Sequence, residues 1–281
     1  MKAAVDCIPC FFRQALDAAR FVTDDPAKHK SVLDALAREI PGIALDKSPI
    51  HYAPAIYNPV KRIAGKDDPF LEWKRRYNQK ALSIYPRAKT EVERAPDPLL
   101  TAIRFALAGN VIDFGPNPHF DFDREIENVR THPFGLCDDR AFRERLRNAG
   151  WVLYLGDNAG EIVFDRLLVE TLGKPVVFVV RGGPAINDAT LEDAAAVGMV
   201  SCASVISNGS DYAGTVLEAC SAEFQECYAK APLVIAKGHG NFETLDAEKK
   251  AIAFLLKAKC AVVARMFGVA VGEWVLKMHA A

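Results

Sequence analysis

The chain has 281 residues, half of them hydrophobic and a quarter charged, which suits a soluble globular protein of one large domain or two modest ones. A formal charge of −1 predicts neither a nucleic-acid partner nor a membrane-surface partner. No stretch approaches the roughly 18 apolar residues that span a bilayer, and the N-terminus lacks a secretory-type apolar core, so a cytoplasmic address is expected. Seven cysteines in a reducing compartment are expected to be mostly thiols.

A helix is expected over residues 6–21, where Phe11, Ala15, Leu16, Ala18 and Ala19 form a stripe near the 3.6-residue period and Pro9 falls in the tolerant first turn. A second is expected over 27–39, before Pro41 and Gly42. Prolines at 49, 54 and 59 predict short helices or irregular connections over 44–65. The segment 67–85 reads as a helix capped by Asp68, opened by Pro69 and stopped by Pro86, and 97–109 as a helix capped by Asp97. Prolines and glycines mark a loop over 109–120, which carries Asn110 and Asp113, a pair also compatible with ordinary turn chemistry. Residues 121–149 read as a helical link broken near Pro133 to Cys137.

The texture changes at Trp151. Strands are expected at 151–155, 175–181, 203–206, 232–236 and 260–264, with helices near 160–172, 189–197, 211–228 and 244–258. Strands rich in Val and Ile without polar alternation are buried on both faces, as in parallel sheets. The alternation predicts a Rossmann-like three-layer α/β/α sandwich. The expected division is a helical N-terminal subdomain over 1–120 and an α/β/α domain over 121–281 that carries the site.

Four of the strand ends are polar and glycine-bearing: Gly156 to Glu161, Arg181 to Asp188, Ser207 to Asp211, and Lys237 to Glu243. Asp157 and Asn158 would serve equally as an N-cap, but four such loops at one sheet edge predict a single site for a hard cation and an anion. Asp157, Asn158 and Asp188 offer two carboxylates and an amide, an oxygen set suited to Mg²⁺ or Mn²⁺. Lys237 is expected to neutralise a phosphoryl group, with backbone N–H groups of Gly238 to Asn241 adding anion contacts. Arg181, Asn187, Ser207 and Asp211 complete the expected substrate shell, with Asn110 and Asp113 joining from the earlier loop. No Walker A sequence occurs, and no G-x-G-x-x-G follows the first strand.

The motifs GDNAGE (156–161), RGGPAIND (181–188), SNGSD (207–211) and KGHGNFE (237–243) resemble the metal-dependent damage-control phosphatases, the domain-of-unknown-function 89 family. DCIPC (6–10) and AGNVIDFG (108–115) resemble its small prokaryotic branch. The resemblance implies a helical domain beside a Rossmann-like one. It also implies a divalent ion (Mn²⁺, Co²⁺, Ni²⁺ or Mg²⁺) held by Asp157, Asn158 and Asp188, a phosphate-binding Lys237, and a small phosphorylated metabolite as substrate. The expected reaction is in-line attack of water on phosphorus, with Glu161 or Asp211 orienting the water; Asp157 as covalent nucleophile is the variant. The alternatives are an S-adenosylmethionine-dependent carboxyl methyltransferase and a non-catalytic sugar-phosphate-binding protein. The Cys7/Cys10 pair has one helical turn between its thiols and no strand before it. It is expected to be structural and to lie away from Asp157. Oligomeric state is not legible from the sequence.

Overall fold

Successive residues of a strand point to opposite faces, and the strands of this chain sort their side chains accordingly. The computed structural model describes residues 1–109 and 122–279, without the side chains of 122–125. Its strands are β1 (Phe134–Cys137), β2 (Val152–Leu155), β3 (Val176–Val180), β4 (Ser204–Ser207), β5 (Val234–Lys237), β6 (Ile252–Lys257) and β7 (Trp274–His279). They form one seven-stranded sheet in the order β1-β7-β6-β5-β2-β3-β4. Every pairing is parallel except β6 with β7.

The helices are α1 (Cys7–Val22), α2 (Pro26–Glu39), α3 (Ala53–Ala64), α4 (Leu71–Arg94), α5 (Pro98–Ala108), α6 (Phe122–Thr131) and α7 (Asp139–Asn148). They continue with α8 (Glu161–Thr171), α9 (Leu191–Ala196), α10 (Ala222–Lys230), α11 (Gly238–Leu245) and α12 (Ala261–Phe267). On one face of the sheet Val152, Tyr154, Phe178 and Ile235 pack under α4, α5, α7 and α8. On the other, Leu153, Leu155, Val179 and Phe254 pack under Phe224 of α10, Phe242 of α11 and Val263 of α12. This is the expected three-layer sandwich. Helices α1, α2 and α3 close a separate core around Phe11, Leu36 and Ile56, whereas α4 and α5 share the core of the sheet. Among the described residues no helix is long and apolar enough to cross a membrane.

Several expectations are corrected. Helix α4 runs through Pro86 to Arg94. The cost of an interior proline, about 3 kcal/mol, is offset by burial of Ala88 and Val92 beyond it. The apolar run 251–257, expected within a helix, is β6; short apolar runs do not separate helix from strand, and the slot beside β5 buries it on both faces. Residues 260–264, expected as a strand, open α12, where the Cys260 thiol accepts from Val263 N–H. The helix expected over 211–228 is confined to a single-turn 3-10 segment at Leu217–Ala219 followed by α10. Strands β1 and β7 were not expected. They extend the sheet at one edge, and β7 makes it mixed.

Chain order reverses at β2. The chain steps outward through β3 and β4, then returns to place β5 and β6 on the other side of β2. Such a reversal leaves a crevice beyond the carboxyl ends of the strands.

Candidate active site

Asp157 and Asn158 follow β2 directly, and Asn158 bridges to Asp188 in the loop after β3. Backbone bonds lock the two loops together: Ala189 N–H donates to Asp157 O at 2.8 Å, and Ala159 N–H to Asn187 O at 2.9 Å. The third wall is the start of α11. Gly238 has φ +77°, and a Cβ there would lie 2.0 Å from Asp157 Oδ2. Only glycine permits this approach, which seats the Asp157 carboxylate on the positive end of α11.

The Asn158 amide donates to Asp157 Oδ2 at 3.0 Å and to Glu161 Oε2 at 3.1 Å. Arg181 donates to Asp188 at 2.6 Å and to Asn241 Oδ1 at 3.2 Å, with Nη2 3.8 Å from Asp157 Oδ1. Asn241 is a buried hub that also accepts from the Thr215 hydroxyl and donates to Lys237 O. Burial, with Asp188 and Glu161 nearby, pushes the Asp157 carboxyl up to about 8. Burial also raises Asp188, against the opposing pull of Arg181.

Asp157, Asn158, Asn187 and Asp188 open into a cavity of about 490 Å³, closed on the far side by α1 and α3. Cys7 and Cys10 line this same cavity, as do Tyr57, His239, Glu243 and Lys259. The expectation that the thiols lie away from Asp157 is therefore corrected: the first turn of α1 docks over the carboxyl end of the sheet. Burial raises the Cys7 thiol above its ordinary range.

Lys237 does not line the cavity. Its side chain is fully buried, and its ammonium contacts Ala106 O and Asp165 Oδ1 at 2.7 Å each, and Glu161 Oε1. Burial alone would lower its pKa, but Asp165 and Glu161 outweigh it and hold the charge. Asp165, which also accepts from the Tyr154 hydroxyl, is pushed by burial to about 6. Glu161, with one oxygen on Lys237 and one on Asn158, sits behind the cavity wall. Ser207 is engaged by Gly209 N–H, and Asp211 lines a separate small recess with Lys61 and Pro184. Neither joins Asp157. Asn110 and Asp113 lie outside the described residues. Sequence reasoning missed Asp165, although its position four residues after Glu161 places both on one helix face. It also missed Tyr57 and gave Glu243 no role; neither carries a local signal.

The chain is a mixed α/β protein whose seven-stranded sheet, flanked by helices, carries two buried carboxylates and an amide at the strand-order reversal, where such sheets open a crevice. The model of the Damage-control phosphatase ARMT1-like domain matches residues 3–275, and the chain belongs to this damage-control phosphatase family. A damage-control phosphatase of Archaeoglobus fulgidus is 36% identical, over 99% of this chain and 99% of its own. An uncharacterised protein of Methanocaldococcus jannaschii is 36% identical, over 98% of this chain and 95% of its own. The crystal structure of a DUF89 family protein from Pyrococcus horikoshii superposes with a TM-score of 0.89 at 32% identity, covering 99% of each chain.

Proposed function

We propose that this protein is a divalent-metal-dependent phosphomonoesterase acting on small phosphorylated metabolites, sugar phosphates among them. The observation that carries this reading is a charge imbalance. Around the strand-order reversal, Asp157, Asp188, Glu161 and Asp165 face two cations, Arg181 and Lys237, so the ionised network is two negative charges in excess. One charge of this excess lies with Asp157, Asp188 and Arg181, next to the cavity, and the other with Glu161, Asp165 and Lys237 behind its wall, which makes the excess two in all. One divalent ion would balance it. Among the described residues no three His, Cys, Asp or Glu side chains converge on a common metal position. The donor set that fits is Asp157, Asn158 and Asp188, all hard oxygen donors that leave room for water and a phosphate oxygen, as Mg²⁺ and Mn²⁺ require. When bound, the ion supplies positive charge for the phosphoryl oxygens and acidifies its water.

The chain's own residues supply position and field. Arg181 fixes the Asp188 carboxylate, and Glu161 fixes the Asn158 amide. The start of α11 meets the Asp157 carboxylate at Gly238, so the positive end of that helix favours negative charge there. We assign Lys237 a positioning role through Glu161, in place of direct phosphate contact. The test is phosphate release from a sugar-phosphate panel, using chelator-treated protein resupplied with Mn²⁺, Mg²⁺, Co²⁺ or Ni²⁺. Release that needs added metal is expected. Release that continues in excess chelator would refute the assignment.

A further inference from the structure

The cavity over Asp157 continues past α1 and α3. Gln14, Tyr57, Ile186 and Asn187 line it on one side and also line a second recess of about 300 Å³. That recess is walled by rings. Phe21 and Phe70 stack at 4.9 Å between centroids, and Trp73 meets Phe21 edge-on at 6.0 Å. Phe21 is 46% exposed, so a large apolar ring is presented to solvent. Trp73 in turn stacks on Tyr77 at 3.8 Å.

The ring wall is tied to the acid cluster by two contacts. Gly160, at φ +79°, backs onto Tyr77, and a Cβ there would lie 3.1 Å from the Tyr77 Cβ. The loop that carries Asp157 and Asn158 therefore rests on the residue beneath Trp73. The second contact is Ile186, a β-branched residue at φ +50°. Such a residue rarely adopts this conformation, and strain of this kind persists where the surroundings hold it, often at ligand clamps. Here it places the Ile186 side chain between the two recesses, directly ahead of Asn187 and Asp188.

We propose that the substrate's phosphate sits over Asp157 and Asp188 while a planar ring on the same molecule docks against Phe21, Phe70 and Trp73. This rests on the phosphatase reading above and narrows it to ring-bearing phosphate esters. An aromatic platform favours a planar group over an aliphatic chain, because stacked and edge-to-face ring pairs add to the gain from buried area. Asp17 also lines the recess and, when ionised, only accepts hydrogen bonds. The favoured ring therefore carries N–H or amino donors, as a nucleobase does.

The test compares adenosine 5′-monophosphate with ribose 5-phosphate, which differ by the ring, at saturating Mn²⁺. Wild-type kcat/KM is expected to favour the ring-bearing ester at least tenfold, mainly through KM. The ratio should fall toward one in Trp73→Ala and fall less in Phe21→Ala, with folding checked by circular dichroism. Equal kcat/KM values in the wild type would overturn the proposal, as would an unchanged ratio in whichever of the two variants folds. If neither ester releases phosphate with any of the four metals, the phosphatase reading fails for these esters, and tryptophan fluorescence then decides the ring site. Quenching by adenosine 5′-monophosphate but not by ribose 5-phosphate, lost in Trp73→Phe, supports the ring site. Equal quenching by the two, or none, overturns it.

Discussion

Two halves of one buried ionic network meet behind β2, each with two carboxylates and one cation, and they differ in how closely the charges are paired. In the inner half, Lys237 is enclosed by Glu161, Asp165 and Ala106 O, and each charge has a close partner. In the outer half, Asp157 and Asp188 share Arg181 and face the cavity, and Asp157 holds its proton up to about pH 8. The first arrangement encloses its charges away from the cavity and shapes the wall. The second leaves charge to be neutralised by something that enters. A polar residue at the end of a parallel strand can thus belong to the frame or to the site, and its partners decide which.

The largest expected effect comes from breaking the inner half. Lys237→Met leaves two buried carboxylates without their cation, which should cost about 3–5 kcal/mol of stability. Urea denaturation of the metal-free protein checks this, and a loss below about 1 kcal/mol would show that the triad is not structural. Asp157→Asn should do the reverse. It should lower metal-supported phosphate release by a factor of roughly 100 to 1,000, comparable to losing one preorganised electrostatic contact. The metal-free unfolding midpoint at pH 8 should stay level or rise, because a repelling charge is removed. Wild-type turnover at saturating Mn²⁺ would contradict the role of Asp157.

A pH titration sharpens the contrast further. Glu243, on the cavity wall, is pushed by burial from 4.5 to about 7; Asp246 adds to the shift and the Met1 amine opposes it. The folded protein keeps this proton longer than the unfolded chain. The contribution of Glu243 is therefore complete below about pH 4.5 and is lost as pH rises to about 7. The loss amounts to roughly 3 kcal/mol at most. Glu243→Gln should flatten this part of the stability profile, and an unchanged slope between pH 4.5 and 7 would show that Glu243 does not set it. His239, whose pKa burial lowers to about 4, should stay neutral across the same window. The smallest effect is expected at the cavity wall itself. Cys10→Phe should raise KM several-fold with little change in unfolding midpoint, since Cys10 is half-buried and lines open space. An unchanged KM would place substrate away from α1.

Much of the fold was legible because local physics fixes it. Asp25 and Asp97 cap α2 and α5 through backbone N–H bonds, and the largely apolar β2, β3 and β5 are buried on both faces apart from Val177. The acid-amide loop after β2 and the later Asp188 were equally legible, since strand ends in a parallel sheet converge. Strands β1 and β7, which extend the sheet beyond β6, were not, because their pairing depends on neighbours distant in sequence. The direction of the Lys237 side chain was not legible for a related reason. A lysine between an apolar strand and a glycine has the same local pattern whether it points toward a ligand or into the core.

The sequence by itself determined the layer architecture and the place of Asp157, Asn158 and Asp188 at the strand ends, because periodicity, capping and loop composition act over a few residues. Tertiary structure alone decided which of those polar groups face the cavity. It folded Lys237 inward onto Asp165, brought Cys7 and Cys10 over the sheet, and set Trp73 behind the Asp157 loop. Those outcomes depend on contacts between segments separated by tens to hundreds of residues, where burial and charge pairing are settled by packing and leave no local signature.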